Sequence, residues 1–139
     1  MRNHVALLLL ALVPVAGAAP AASPDVDCKD GGGTQLEMNI CAGRDAERAK
    51  GRMKSLLADL GGVLAKERYA ELTAMQGEWE ALRDKECRWE QGFAEGGSVG
   101  PLIFASCITT QTDARIERLK MFLCEGGGLT GPCEASEKY

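Results

Sequence analysis

The sequence predicts an all-α fold, an antiparallel three-helix bundle held together by disulfides. Apolar residues recur at three- and four-residue steps, and no segment alternates with a period of two, which favours amphipathic helices over strands. Glycine pairs at 61–62 and 96–97 divide the chain into three such segments. Six cysteines in a chain of 139 residues indicate three structural disulfides.

Residues 1–19 have the composition of a secretory signal peptide. Arg2 supplies a positive charge, residues 5–15 are apolar, and small residues follow at 16–19. The apolar run is too short for a membrane-spanning helix, which needs about 20 apolar residues. The polar residues just before Cys28 argue against lipid attachment at that cysteine. We therefore expect an exported protein, periplasmic or secreted, with no membrane span after signal cleavage.

An N-terminal lead-in is predicted over 20–33, and the first helix is predicted to begin at Thr34. Thr34 and Glu37 have the spacing of a capping box, in which each side chain accepts a hydrogen bond from the other residue's amide. The glycines at 61–62 are expected to end this helix. Its predicted buried stripe consists of Met38, Cys41 or Ala42, Asp45 or Ala46, Ala49, Met53, Leu56, Leu57 and Leu60.

A second helix is predicted over 63–94 and a third over 102–124, so that residues 34–124 form the helical domain. Short connections between consecutive helices favour antiparallel neighbours. The predicted interior of the second helix is Leu72, Met75 or Gln76, Trp79, Leu82 and Cys87. The predicted apolar side of the third is Leu102, Ile103, Ile108, Thr112, Ile116, Leu119 and Leu123.

Six cysteines allow fifteen disulfide pairings, and chain geometry favours the sequential one. Cys28 and Cys41 flank the start of the first helix closely enough for the lead-in to fold back along it. Cys87 and Cys107 lie at matching heights on two antiparallel helices. Cys124 and Cys133 would close a glycine-rich tail at 125–139. Partly free thiols or a bound metal are the alternatives, although no closely paired thiols of a zinc site occur.

Composition excludes several classes of function. The chain's one histidine, His4, lies in the predicted signal peptide, so the mature chain has no imidazole for catalysis or metal binding. We therefore predict no catalytic residues, no metal and no cofactor. Loss of Arg2 leaves 15 of the 16 Lys and Arg residues against 20 Asp and Glu, a net charge of −5. Nucleic acid is not expected as a partner because it requires the opposite charge.

Four motifs together resemble the LprI-like lysozyme-inhibitor domain, a family of small exported helical proteins. They are TQLEMNICA at 34–42, MQGEWEALRDKEC at 75–87, GGS at 96–98 and TDARIERL at 112–119. The resemblance extends from about Cys28 to Leu123. It implies a non-enzymatic protein that binds and blocks a basic lysozyme-type glycosidase. The chain departs from the family at Ala46 and Leu57, where aromatic residues are frequent, and the Cys124 and Cys133 pair is additional.

The predicted partner-binding surface lies between Cys87 and Cys107. A disulfide-braced acidic loop suits a cationic cleft, because little entropy is lost on docking and the charges steer association. An ordinary helix C-terminal turn that needs glycine is the alternative interpretation. The predicted surface residues are Trp89, Glu90, Phe93, Glu95, Gly96, Gly97 and Ser98.

Trp79 and Arg83 lie one helical turn apart and so share a face of the second helix. We predict that Trp79 lies in the core and that Arg83 bonds Asp84 or helix-terminal carbonyls. A binding anchor is the alternative interpretation of this pair.

The alternative to lysozyme inhibition is a cell-envelope interaction or scaffold module with an unknown ligand.

Overall fold

The computed structural model describes residues 25–139, and the predicted signal peptide at 1–19 lies outside the described residues. The described part contains helices and no strand, so the all-α class is confirmed. The predicted count of three helices is wrong, because a fourth short helix and two 3-10 helices follow the three long ones. The elements are α1 Gln35–Val63, α2 Lys66–Gly92, α3 Gly100–Lys120, 3-10 helices Met121–Leu123 and Glu125–Gly128, and α4 Glu134–Glu137.

The capping box at the start of α1 is confirmed. The Thr34 hydroxyl accepts from the Glu37 amide at 3.3 Å, and the Glu37 carboxylate accepts from the Thr34 amide at 2.8 Å. The Gly33 amide donates to the same carboxylate at 3.0 Å. The hydrogen bond from the Thr34 backbone is the main reason that the pKa of Glu37 lies below its ordinary value.

α1 and α3 run in the same direction along their shared interface. Asn39, near the start of α1, bonds the backbone just before α3, and Arg52 further along pairs with Asp113 at 2.5 Å. α2 runs back past α3, since the Cys87–Cys107 disulfide joins the last part of α2 to the first part of α3.

The core consists of two clusters of buried side chains. The cluster toward the start of α1 consists of Ala42, Ala46, Cys87, Ala105, Cys107 and Ile108. The cluster toward its end consists of Met53, Leu56, Leu60, Leu72, Ile116 and Leu119. Alanine buries little apolar area, so the first cluster depends on the Cys87–Cys107 disulfide for much of its stability. The second cluster contains no cysteine and consists of larger apolar side chains.

The end of α1 differs from the prediction. The helix continues through Gly61 and Gly62 to Val63, and the backbone becomes extended at Leu64. A Cβ atom at Gly61 would lie 2.9 Å from the ring of Tyr69, which is closer than real Cβ contacts. Gly61 therefore allows the start of α2 to approach α1 rather than ending the helix.

The buried face of α2 also differs from the prediction. Leu82, which was predicted inside, is 52% exposed, and Arg83, which was not, is 5% exposed. Of the predicted alternatives Met75 and Gln76, Gln76 is the buried one. The buried face is shifted because α3 presents the hydroxyl of Thr112, to which Arg83 donates at 3.2 Å. A paired arginine can be buried in place of a leucine when its charge and donors are satisfied.

α3 begins at Gly100, two residues before the predicted start, and has Pro101 in its first turn. Proline is favoured there because its missing N–H would have no partner within the helix. The α-helix ends at Lys120 and a 3-10 turn continues to Leu123. No helix among the described residues is both long enough and apolar enough to cross a bilayer.

Three disulfides link the chain, and their pairing is the sequential one that geometry predicted. Cys28 bonds Cys41, Cys87 bonds Cys107, and Cys124 bonds Cys133. The third bond closes the tail, which returns to the end of α1. There the Lys138 ammonium and the Tyr139 hydroxyl donate to the Asp59 carboxylate at 2.7 and 2.9 Å. The bond from Lys138 is the main cause of the lowered pKa of Asp59.

Removal of the Cys87–Cys107 disulfide is expected to lower the free energy of unfolding by about 3 kcal/mol, since it closes a loop of 20 residues. The double variant Cys87→Ala/Cys107→Ala would be compared with the wild type by urea denaturation followed by circular dichroism. The control Cys124→Ala/Cys133→Ala opens a loop of 9 residues outside the main core and should cost less. A larger loss in the control would contradict this assignment.

Candidate functional site

The predicted partner-binding residues lie together at the end of the molecule where α2 turns into α3. We call this the hairpin-end surface. All of its members are solvent-exposed: Trp89, Glu90, Phe93, Glu95, Gly96, Gly97 and Ser98. Their role in binding remains a prediction.

Two aromatic side chains dominate the hairpin-end surface. Trp89 is 68% exposed and Phe93 is 78% exposed. Their ring centroids are 4.8 Å apart and the ring planes lie at 88°, which is an edge-to-face pair. This geometry orders each ring against the other, although neither is covered by the core. Exposed apolar patches of this kind mark interaction sites more often than isolated surface residues do.

The loop between Trp89 and α3 consists of successive tight turns. The amides of Ala94 and Gly97 donate to the carbonyls of Gln91 and Ala94, each at 2.9 Å. Gly96 has a φ of +75°, a conformation that favours glycine. A Cβ at Gly97 would lie 3.1 Å from the Ala94 carbonyl oxygen. These glycines therefore form a turn at the end of α2, as the alternative interpretation predicts. A turn of this kind is compatible with a role in binding.

α1 fixes the position of this loop. The Asn39 side-chain amide donates to the Ser98 carbonyl at 2.9 Å, and the Gln35 amide donates to the Asn39 oxygen at 2.9 Å. Gln35 thereby orients Asn39 for its bond to the loop. Sequence reasoning did not find this clamp. The one available signal was the four-residue spacing of Gln35 and Asn39, which places the two side chains on one face of a helix.

A disulfide fixes the base of the same hairpin. Cys87 lies two residues before Trp89 and is fully buried, and Cys107 on α3 is also buried. The loop is therefore attached to α3 covalently and to α1 by a hydrogen bond. A loop held at both sides loses little conformational entropy when it binds a partner.

A separate layer of polar side chains fills the interface between α2 and α3. Trp79 lies between two guanidinium groups, with Arg83 at 5.1 Å and Arg115 at 5.4 Å from its ring centroid. Arg115 also donates to the Gln76 side-chain oxygen at 3.1 Å. Burial is the main reason that the pKa of Arg115 is lowered, and the charge of Arg118 adds to the effect.

Arg83 lies within this layer. Its Nε and Nη2 atoms donate to one carboxylate oxygen of Asp84 at 2.9 and 2.7 Å, and its Nη1 atom donates to Thr112. The bond to Asp84 was among the predicted partners, whereas the bond to Thr112 was not. The layer holds α2 on α3 by polar contacts, so we assign Trp79 and Arg83 to the interior rather than to the hairpin-end surface.

The described residues 25–139 contain no cluster of three His, Cys, Asp or Glu side chains arranged for a metal ion. Three of the carboxylates along α2 bond to neighbouring side chains. Glu71 pairs with Arg68. Asp84 accepts from Arg83, and Glu80 accepts from the Gln76 amide at 3.0 Å.

Comparison with known proteins adds two findings. A family model described as lysozyme inhibitor LprI matches residues 27–119, which include all of α1 and α2 and most of α3. An uncharacterized protein of Rhizobium meliloti (strain 1021) is 29% identical over 129 residues, covering 84% of this chain and 89% of that protein. No solved structure matches the chain.

Replacement of Arg83 by alanine is expected to lower the free energy of unfolding by about 3 kcal/mol, because it leaves a cavity beside Trp79 and removes the bonds to Thr112 and Asp84. Arg83→Met should cost less, since it restores most of the packing. Chemical denaturation measures both. The exposed Arg88 on the same helix provides the control, and Arg88→Ala should change stability by less than about 0.5 kcal/mol. Equal losses in Arg83→Ala and Arg88→Ala would contradict a structural role.

Proposed function

The chain belongs to the LprI lysozyme inhibitor family, and from this premise we propose that it is an exported protein that binds and blocks a basic lysozyme-type glycosidase through its hairpin-end surface. The observation that carries the proposal is the exposed Trp89–Phe93 pair on a loop fixed by a disulfide and by Asn39. Blocking would be stoichiometric and non-catalytic, since the inhibitor occupies the cleft of the enzyme.

The aromatic pair supports this proposal through its energetics. A few residues carry most of the binding energy at protein interfaces, and tryptophan is enriched among them. Trp89 and Phe93 already face solvent in the free protein, so binding does not require them to leave the core. Burial of the two rings against a partner would therefore yield apolar stabilisation with little reorganisation.

Charge supports the choice of a basic partner. Glu90 and Glu95 are both exposed and lie on either side of Phe93. The whole chain is also acidic, with a net charge of −4. Carboxylates around an apolar anchor would steer the inhibitor toward a cationic cleft and would fix its orientation there.

Export is consistent with the covalent chemistry of the fold. All six cysteines form disulfides, and such bonds persist in oxidising compartments. We propose that residues 1–19 direct export and that residues 34–124 form the family domain. The lead-in at 20–33 and the tail at 125–139 would then be appendages fixed by their own disulfides.

A scaffold function is the second candidate, and one observation favours it. Met75, Leu82 and Trp89 are exposed and recur every seven residues, which places them along one side of α2. Such a stripe suits contact with a helix of another envelope protein. In that case the purified oxidised protein would leave lysozyme activity unchanged and would give no heat of binding to lysozyme at low salt.

The double variant Trp89→Ala/Phe93→Ala is expected to weaken inhibition of lysozyme at least 30-fold, which corresponds to a loss of about 2 kcal/mol. The assay follows lysis of bacterial cells by a basic lysozyme over a range of inhibitor concentrations. Leu129→Ala is the matched control, because Leu129 is 92% exposed but lies in the tail. Equal inhibition by the two variants would refute the role of the aromatic pair.

Inhibition is also expected to weaken as salt rises from about 0.02 to 0.3 M, because exposed charges are screened beyond the Debye length. Glu90→Gln/Glu95→Gln should reduce this salt dependence and slow association, measured by stopped-flow mixing. Glu67→Gln/Glu134→Gln changes the net charge equally at exposed positions outside the hairpin-end surface. If both pairs change association equally, net charge rather than the hairpin-end surface steers binding.

A further inference from the structure

A groove of about 520 Å³ separates α1 from α2. The two helices are joined by a link of two residues, Leu64 and Ala65, and come close where Tyr69 packs on Gly61. Beyond that contact they separate, because α2 packs mainly against α3. The volume of the groove lies within the range of small-molecule sites, about 300–1,000 Å³.

The floor of the groove is apolar. Met53 is buried, and Leu57 and Tyr69 are partly buried, and all three belong to the second core cluster or pack against it. On α1 the groove extends from Lys50 to Ala58, which is about 12 Å at 1.5 Å per residue.

The two ends of the groove differ in chemistry. α1 and α2 run in opposite directions from their link, so Arg83 on α2 lies toward Lys50, while Tyr69 lies toward Ala58. Lys50 and Arg83 therefore line one end, and a third cation, Lys54, lies halfway along the α1 side of the groove. Apolar side chains line the other end. The one carboxylate in the lining, Glu80, accepts a hydrogen bond from Gln76.

The cationic end retains unused hydrogen-bond donors. Arg83 is buried and lines the groove, and its guanidinium carries five N–H donors. Three hydrogen bonds to Asp84 and Thr112 leave two N–H groups without a partner among residues 25–139. Lys54 forms no ion pair within the same described range, whereas Lys50 is paired with Glu47 and Arg83 with Asp84. An anionic group is the ligand that these donors fit.

The lining of the groove fits an amphiphile with a single anionic head. Cations lie toward one end and apolar side chains toward the other, over a span of about 12 Å along α1. An alkyl chain carries no polar groups, so it can lie on Met53 and Leu57 without leaving a hydrogen-bonding group unsatisfied.

We propose that this groove binds a fatty acid with one alkyl chain. The carboxylate lies between Lys54 and Arg83, and the chain extends along Met53 and Leu57 toward Tyr69. This site is separate from the hairpin-end surface, so it goes beyond the proposed inhibition of lysozyme and does not depend on it.

Titration calorimetry of the full mature protein with dodecanoate, below its micelle-forming concentration, tests the proposal. One molecule is expected to bind per chain. Lys54→Glu should weaken binding at least tenfold, because it reverses a charge beside the bound carboxylate. Ala58→Phe should weaken it to a similar extent by occupying the apolar end. Lys54 and Ala58 are both exposed, so neither substitution disturbs the core.

The control Lys66→Glu reverses an exposed charge outside the groove and should bind dodecanoate as the wild type does. Absence of binding to the wild-type protein, or equal weakening by Lys54→Glu and Lys66→Glu, would overturn the proposal. Equal affinity for dodecyltrimethylammonium would also overturn it, since that cation shares the chain but not the charge. Tighter binding of lysophosphatidylglycerol than of dodecanoate would assign the groove to a lipid headgroup and refute a fatty acid.

Discussion

The Cys87–Cys107 disulfide ties α2 to α3 at a place where α2 has little apolar surface to bury. Among its buried side chains, Leu72 and Cys87 are apolar, while Gln76 and Arg83 are polar. A helix of this composition gains less from the hydrophobic effect than α1 does, whose buried face consists of seven apolar residues. The covalent bond limits the freedom of α2 in the unfolded chain, and the polar layer then specifies how α2 rests on α3.

The disulfide and the polar layer act at different positions along α2. The disulfide lies near the C-terminal end of the helix, and the layer around Trp79 lies near its middle. Together they keep α2 against α3 and leave the opposite side of the helix uncovered. Both surfaces to which we assign binding follow from this arrangement, since the hairpin-end surface continues from α2 and the groove separates α2 from α1.

Sequence patterns predicted the features that depend on neighbours in the chain. The capping box at Thr34, the buried stripe of α1 and the sequential disulfides follow from spacing within one helix or across one turn. The buried face of α2 could not be predicted in this way. A periodic pattern of apolar residues places Leu82 inside and Arg83 outside, because it does not reveal that the Thr112 hydroxyl on α3 accepts a hydrogen bond from Arg83. The role of Gly61 was missed for the same reason, since the Tyr69 ring that requires it belongs to the next helix.

The residues of the hairpin-end surface could be predicted from the sequence, but the contacts that hold the loop in place could not. Trp89 and Phe93 lie four residues apart next to a glycine-rich turn, and this spacing places them on one helix face. The clamp from Asn39 crosses from α1 to a residue 59 positions away, a distance over which local patterns carry no information. The same limit applies to the groove, whose lining comes from two helices and whose volume depends on how far apart they lie.

Asn39 holds the loop through the main-chain carbonyl of Ser98, a group that every amino acid supplies. The Ser98 side chain itself is exposed. Position 98 can therefore accept many side chains while the backbone keeps its place, so the chemistry of the loop can change without rebuilding its scaffold. The same property makes the loop a convenient starting point for engineered recognition. New side chains can be introduced there because Asn39 binds the main chain, whichever side chain position 98 carries.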